Sequence, residues 1–386
     1  MVKPIALLLP IYVTFMWALV FLFQKGTRFK ANKALGLFML TASLLYVSHA
    51  VFFFNFYHLY SFVESLYILA VLSIYPLFFS YILLLTSDQI KFPRYIIHFV
   101  PAILLSLVSL LFTLCLTHDQ RIDYVKDILI EKNLKGLNLG SLTGLNGLTL
   151  LTVRIYFIAQ VFVYLIKGIR IANKHNKRLT EFYSNTEGRR VNWIRDISII
   201  ILVVSILGVA FSVIGRSFFV KNETFLLFPS ILFSTIYFII GFYGNQQIVI
   251  ADELKEEENS VSNMEEVLED SSRSLLKNRL IALFQEEKIY CLSDLRITTL
   301  SETLQTNRTY ISRLINEEFG VNFNEFVNKY RVEEAERLLR SADHDFYTLE
   351  YIAEKSGFGS ANSFTRAFKE CKGITPGTFR KNLKKV

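Results

Sequence analysis

The chain has 386 residues, of which 52% are hydrophobic, and it carries a formal net charge of +8. This apolar fraction, with a mean hydropathy of +0.35, excludes an ordinary soluble protein of two domains. Its cysteines, Cys115, Cys291 and Cys371, are too far apart in sequence for a zinc-finger pattern or a disulfide framework. Catalytic motifs such as HExxH, GxSxG and the P-loop are missing from the sequence, so we expect no enzyme, metal site or cofactor.

Apolar runs fill most of the chain before residue 246. They cover residues 5–23, 35–56, 62–85, 96–116, 148–166, 197–215 and 225–244. Each run is about 19–24 residues long, which is enough for a helix to cross a hydrocarbon core of about 30 Å. The sequence therefore predicts a seven-helix transmembrane bundle over residues 1–246.

Lysine and arginine in the loops predict the orientation of this bundle. If the N-terminus is outside, the inner loops 24–34, 86–95 and 167–196 carry 14 basic residues, whereas the outer segments carry 7. Since basic residues are enriched on the cytoplasmic side, we expect an inner-membrane, multi-pass protein with its C-terminus in the cytoplasm.

Charged residues within or at the edge of the predicted spans are candidates for a ligand site. Glu64 starts the third span, Arg154 lies early in the fifth, and Arg216 closes the sixth. Two arginines from different helices are suited to a small anionic or zwitterionic ligand, with Glu64 as counter-ion or amine partner. The alternatives are a purely structural Glu–Arg pair and side chains that extend to the membrane surface.

An acidic stretch separates the bundle from the tail. Residues 251–270 hold nine acidic side chains and one basic side chain. We interpret residues 247–272 as a solvated linker. A short helix that forms a homodimer is the alternative.

The hydrophobic pattern changes in the tail, residues 273–386, from continuous apolar runs to amphipathic spacing. We predict a short helix that begins with a capping box at Thr299–Glu302, and a second helix over about 308–318 after an Asn307 cap. A long helix is predicted over about 323–340. The pattern then repeats, with helices that begin at Thr348 and Ser360 and a turn at Gly357.

The tail resembles the DNA-binding domain of the AraC/XylS family. The resemblance rests on residues 300–320 (LSETLQTNRTYISRLINEEFG), 331–339 (RVEEAERLL) and 357–380 (GFGSANSFTRAFKECKGITPGTFR). It implies two helix-turn-helix units joined by one long helix, with two recognition helices entering successive major grooves about 34 Å apart. The predicted fold class is therefore all-α, a seven-helix transmembrane bundle followed by a double helix-turn-helix domain.

The resemblance also assigns residues of this chain to DNA binding. Base-edge candidates are Arg308, Thr309, Ser312 and Arg313 in the first recognition helix and Ala361, Asn362, Thr365 and Arg366 in the second. Lys369, Arg380 and Lys381 are the candidates for phosphate contacts. The chain has Asn316-Glu317-Glu318 where the family often has a basic pair, which should weaken the first unit's phosphate contacts.

We therefore expect a membrane-bound regulator that couples a signal in or outside the membrane to binding of double-stranded DNA. A transporter or membrane enzyme with an autoregulatory tail is one alternative. Another is an anchored regulator that a partner protein or proteolysis in the linker controls.

Overall fold

The computed structural model describes residues 2–24, 29–86, 95–131, 140–187, 189–214, 216–247, 270–341 and 347–383. Throughout these residues the regular structure is helical. The β-structure found there is an isolated antiparallel bridge between Tyr183 and Arg296. The predicted all-α class is confirmed for the described residues.

The chain divides into two compact units, and each unit is formed by two separate stretches of the sequence. The first unit comprises Met1–Asn173 and Val191–Ala251, and the second comprises Lys174–Arg190 and Asp252–Val386. A piece of the loop between the fifth and sixth predicted spans therefore belongs to the same unit as the tail. Residues 247–272, the predicted acidic linker, lie mostly outside the described residues.

The first unit is built from apolar helices. They are α1 (Val2–Phe23), α2 (Phe29–Phe53), α3 (Tyr57–Thr86), α4 (Val100–Cys115), the short α5 (His118–Asp123), most of α6 (Leu142–Phe182), α7 (Asn192–Ile214), the short α8 (Arg216–Lys221) and α9 (Leu227–Gln246). Its main core contains aromatic side chains such as Trp17, Phe38 and Phe78.

Pro10 and Pro76 lie in helix interiors of this unit, where proline removes a backbone donor. Pro10 is in α1 and Pro76 is in α3. The hydroxyls of Thr14 and Ser80 donate to the carbonyls of these prolines, at 2.7 and 3.0 Å. Pro76 also deprives the Leu72 carbonyl of its helical donor, and the Gln160 side chain donates to that carbonyl at 3.2 Å, which satisfies it without water.

Several helices match the predicted spans. Val2–Phe23, Lys30–Phe53, Tyr57–Thr86, Leu142–Phe182 and Glu223–Gln246 are long and apolar enough to cross a membrane. The helix α4 is apolar but has only 16 residues. The helix α7 coincides with the sixth run. The apolar helices are thus confirmed, whereas the number of seven spans stays a prediction.

The second unit contains short amphipathic helices around one long helix. They are the last turns of α6, then α10 (Asp270–Gln285), α11 (Ile297–Thr303), α12 (Arg308–Phe319), α13 (Phe323–Arg340), α14 (Leu349–Lys355), α15 (Ala361–Lys372) and α16 (Pro376–Leu383). The helix α13 has the predicted bounds. It packs against Phe284 of α10 through Phe326 and Tyr330, and against Phe364 and Phe368 of α15 through Val332 and Leu339.

The start of α11 differs from the prediction. The helix begins at Ile297, and its N-cap residue Arg296 makes no side-chain cap. Thr299 therefore lies inside the helix, and the predicted capping box at Thr299–Glu302 is wrong. Tertiary packing explains the earlier start, because Ile297 is 1% exposed and anchors the first turn in the core.

Candidate DNA-binding interface

The first pair, α11 and α12, presents a polar helix face. The side chain of Asn307 accepts a hydrogen bond from the Tyr310 amide at 3.0 Å and so caps α12. Apolar positions Ile311, Leu314 and Ile315 are buried. The predicted base-edge residues lie on the remaining surface, with Thr309 and Arg313 exposed and Arg308 and Ser312 half-buried.

The acidic residues at the end of α12 are paired within the unit. Arg273 of α10 lies 2.8 Å from the Glu317 carboxylate and 2.9 Å from that of Glu318, and Lys277 lies 2.6 Å from Glu318. These cations lower the pKa of Glu318, chiefly through the hydrogen bond from Lys277. The acidic pair that replaces the family's basic one is therefore largely neutralised by α10.

The second pair, α14 and α15, repeats this design with a side-chain cap on each helix. Thr348 caps α14 by accepting from the Tyr351 amide at 3.1 Å. Ser360 caps α15 by accepting from the Ser363 amide at 3.1 Å, and its own amide donates to the Ser363 hydroxyl at 3.3 Å. Gly357 adopts φ +85° in the turn between the two helices.

The helix α15 separates its apolar and polar faces clearly. Phe364, Ala367 and Phe368 are buried in the unit's core. The predicted DNA-contact residues lie on the other side, where Asn362, Arg366 and Lys369 are exposed and Ala361 and Thr365 are half-buried. Each helix therefore brings its predicted base-edge set onto one surface.

The predicted phosphate contacts are less uniform. Lys381 is exposed on α16 and Arg380 is half-buried there. Among the described residues, the Arg380 Nε and one of its terminal nitrogens have no hydrogen-bond partner. A phosphate oxygen is the kind of acceptor that such a guanidinium binds.

A long-range ion pair links α13 to α15. The Glu336 carboxylate lies 2.5 Å from Lys372 and 2.8 Å from Arg340. Both cations lower its pKa, Lys372 most. The helix α15 is thus held to α13 by charge as well as by apolar packing.

Residues before α7 also lie at this surface, and the sequence analysis missed them. Burial lowers the pKa of Arg190, and the nearby Arg366 guanidinium lowers it further. Arg190 lines a crevice of the second unit with Asn328, Arg366 and Glu370. The Arg189-Arg190 pair is visible in the sequence, but nothing in the sequence places it beside residues more than a hundred positions away.

The predicted ligand residues lie in the first unit, around a cavity of about 500 Å³. Arg154 and Arg216 both line it, together with His49 and mostly apolar or aromatic side chains. The Arg216 guanidinium lies 4.4 Å from the centre of the Phe52 ring.

Glu64 does not line the cavity. It is 0% exposed, and it lies within electrostatic reach of both arginines and of the Tyr124 hydroxyl. The structure therefore brings the two arginines to one cavity and buries the carboxylate near them.

Comparison with known proteins concerns the tail. Residues 300–382 match the family model described as a helix-turn-helix domain. The chain is 32% identical over 94 residues to YtdP of Bacillus subtilis, an uncharacterized HTH-type transcriptional regulator. The aligned region covers 24% of this chain and 12% of YtdP. It is 33% identical over 103 residues to YfiF of the same organism, also an uncharacterized HTH-type transcriptional regulator. Here the aligned region covers 26% of this chain and 32% of YfiF.

A third relative is an uncharacterized HTH-type transcriptional regulator of Staphylococcus aureus strain COL. It is 37% identical over 87 residues, which cover 22% of this chain and 11% of that protein. The chain thus spans about a tenth to a third of the length of these relatives. No solved structure matches the chain. The matched region, the caps of α12 and α15 and the polar faces of these helices all indicate the same kind of domain. The C-terminal part of the chain carries a helix-turn-helix domain of the AraC type.

Proposed function

We propose that the protein is a sequence-specific transcriptional regulator bound to the cytoplasmic membrane. The observation that carries this proposal is the pair of capped helices, α12 and α15, which present arginine, asparagine and threonine side chains outward. Arginine suits guanine and asparagine suits adenine in the major groove. The matched helix-turn-helix model supports the same function.

The first unit is proposed to anchor the protein in the bilayer, with the N-terminus outside and the tail in the cytoplasm. Its apolar surface supports this placement. Along α4, for example, Leu104, Leu107, Leu111 and Leu114 share one face and are all exposed. A continuous apolar face of this kind is costly in water and is covered by lipid in a membrane protein.

The DNA-binding proposal is tested with the full-length protein in lipid nanodiscs. Duplexes that the protein prefers are selected from a random pool, and affinities are compared for wild type, Arg366→Ala and Lys329→Ala. Lys329 is an exposed cation of α13 and serves as the matched charge control. Loss of a bidentate base contact should cost Arg366→Ala about 1–3 kcal/mol, whereas Lys329→Ala should bind nearly as well as wild type.

Two results would contradict the proposal. One is selection of no preferred sequence by the wild-type protein. The other is equal binding by the Arg366→Ala and Lys329→Ala variants, which would reduce the role of Arg366 to net charge.

We propose in addition that the cavity of the first unit is the sensor site. Its mostly apolar lining with two arginines fits a ligand that has an apolar body and one anionic group, such as a carboxylate. Arg154 and Arg216 would bind the anion, and buried Glu64 would balance their charge when the site is empty. Ligand binding would shift the equilibrium between two arrangements of the first unit. The shift can be no larger than the ligand's difference in affinity for the two arrangements.

A thermal-shift experiment in nanodiscs tests the sensor site. Laurate is the probe, and dodecanol, which has the same chain without the charge, is its control. Laurate should raise the melting temperature of the wild type more than dodecanol does, and Arg154→Gln or Arg216→Gln should remove the difference. An equal effect of the two probes on the wild type would refute an anion site in the cavity.

A further inference from the structure

The segment Lys174–Arg190 is part of the second unit, although it precedes α7 in sequence. Its side chains contribute to the core of that unit, since Leu179 and Tyr183 are 0% exposed. It begins inside α6, a helix whose residues up to Asn173 belong to the first unit. The chain therefore passes through the DNA-binding unit once before it reaches the tail.

The part of the segment at Tyr183 and Ser184 is held by buried hydrogen bonds. The Ser184 amide and hydroxyl both donate to the Leu295 carbonyl, at 3.1 and 2.7 Å. The Asn324 side chain donates to the carbonyls of Tyr183 and Ser184, at 3.2 and 2.6 Å. Arg331 of α13 donates to the Ser184 hydroxyl at 3.0 Å. Because separation would leave several buried polar groups unpaired, this part should stay docked.

The other contacts reach the N-terminal ends of both recognition helices. Phe182 lies beneath Arg308, the first residue of α12, with 4.3 Å between the guanidinium carbon and the ring centre. The Glu187 carboxylate accepts a hydrogen bond from the hydroxyl of Ser360, the cap of α15. The side chain of Asn185 occupies the space that a Cβ at Gly359 would need.

These ends are where DNA is expected to bind. The N-terminal residues of a recognition helix enter the major groove, and the exposed amides of a helix N-terminus favour an anion such as phosphate. In this structure the anion at the start of α15 is Glu187. Glu187 is exposed whereas Ser184 is buried, so Glu187 can leave while the rest of the segment stays docked.

We propose that Glu187 is an autoinhibitory anion that competes with DNA phosphate for the start of the second recognition helix. This inference rests on the DNA-binding function proposed above and adds its regulation. The carboxylate holds the Ser360 hydroxyl and repels the duplex when the protein is at rest.

The test compares DNA affinity of full-length wild type, Glu187→Gln and Glu350→Gln in nanodiscs, on the duplex that the wild type selects. Glu350 is exposed near the start of α14, so its substitution removes the same charge without a contact to the segment. Removal of a competing charge at a helix N-terminus should tighten binding by Glu187→Gln about twofold to fivefold. Glu350→Gln should change affinity by less than about twofold.

Each outcome separates the two proposals. Sequence-selective binding in which Glu187→Gln is equal to or weaker than wild type, or no tighter than Glu350→Gln, overturns the autoinhibitory contact only. Absence of any sequence preference in all three proteins defeats the DNA-binding function itself.

A second experiment closes the contact instead of opening it. Cysteines at Glu187 and Ser360, in a chain whose native cysteines are serine, are joined by a short bis-thiol crosslinker. The crosslinked protein should lose at least about tenfold in DNA affinity relative to the same variant without crosslinker. Equal binding by the crosslinked and free forms would show that DNA does not need the Glu187 contact to open.

Discussion

Arg331 is a charged side chain that the second unit buries, with 1% of it exposed. Its guanidinium donates to the carbonyls of Tyr290 at 2.7 Å and Leu292 at 2.6 Å, and to the Ser184 hydroxyl at 3.0 Å. Burial lowers its pKa to about 10, so the side chain stays charged at neutral pH. A buried charge is tolerated where backbone acceptors replace water, as they do here.

Two glycines of the second unit form a matched pair for mutation. Both Gly357 and Gly320 have positive φ, at +85° and +69°. A Cβ at Gly357 would collide with the Tyr290 carbonyl oxygen and lie 2.7 Å from the Cys291 Cα, whereas a Cβ at Gly320 would meet nothing within 4 Å.

We therefore expect Gly320→Ala to lower the free energy of unfolding of the second unit by about 1 kcal/mol, from backbone strain alone. Gly357→Ala should lower it by about 3 kcal/mol or more, since backbone must move as well. Hydrogen exchange of the α13 amides in the full-length protein measures both values. Similar losses for the two variants would show that the collision at Gly357 is relieved without cost.

At the scale of elements, the sequence predicts best where a helix is fixed by its own residues. The cap at Asn307, the helix starts at Thr348 and Ser360 and the bounds of α13 follow from local chemistry and hydrophobic spacing, and the structure confirms them. The start of α11 could not be predicted in this way, because burial of Ile297 outweighs a cap at Thr299.

The contacts of the segment before α7 could not be predicted for a different reason. The partners Ser184 and Arg331 are 147 positions apart, and their polar side chains carry no periodic pattern that marks them as neighbours. Residues 182–190 read as an ordinary basic loop between two apolar runs. The charged residues of the cavity were identifiable, since charge within an apolar run is rare, but their placement on a common cavity needs the fold.

At the scale of the whole molecule, the proposed orientation is open to a labelling experiment. Asp119 is exposed after α4, on the side predicted to be outside, and Cys371 is exposed on α15. In a chain with Asp119→Cys, Cys115→Ser and Cys291→Ser, a membrane-impermeant maleimide should label position 119 in intact cells. Cys371 should be labelled only after the membrane is permeabilised.

The single-cysteine versions of this chain are the controls. Labelling of Cys371 in intact cells would place the tail outside and would contradict both the proposed orientation and a DNA-binding role.

The docking of Tyr183 and Ser184 also bears on how freely the C-terminal half can be separated from the rest. A protease that cut the chain after residue 252 would release a piece without these residues, so the Asn324 amide would lose both of its backbone acceptors and Arg331 one of its own. We expect such a piece to melt at a lower temperature than the second unit of the whole chain, because it lacks these contacts.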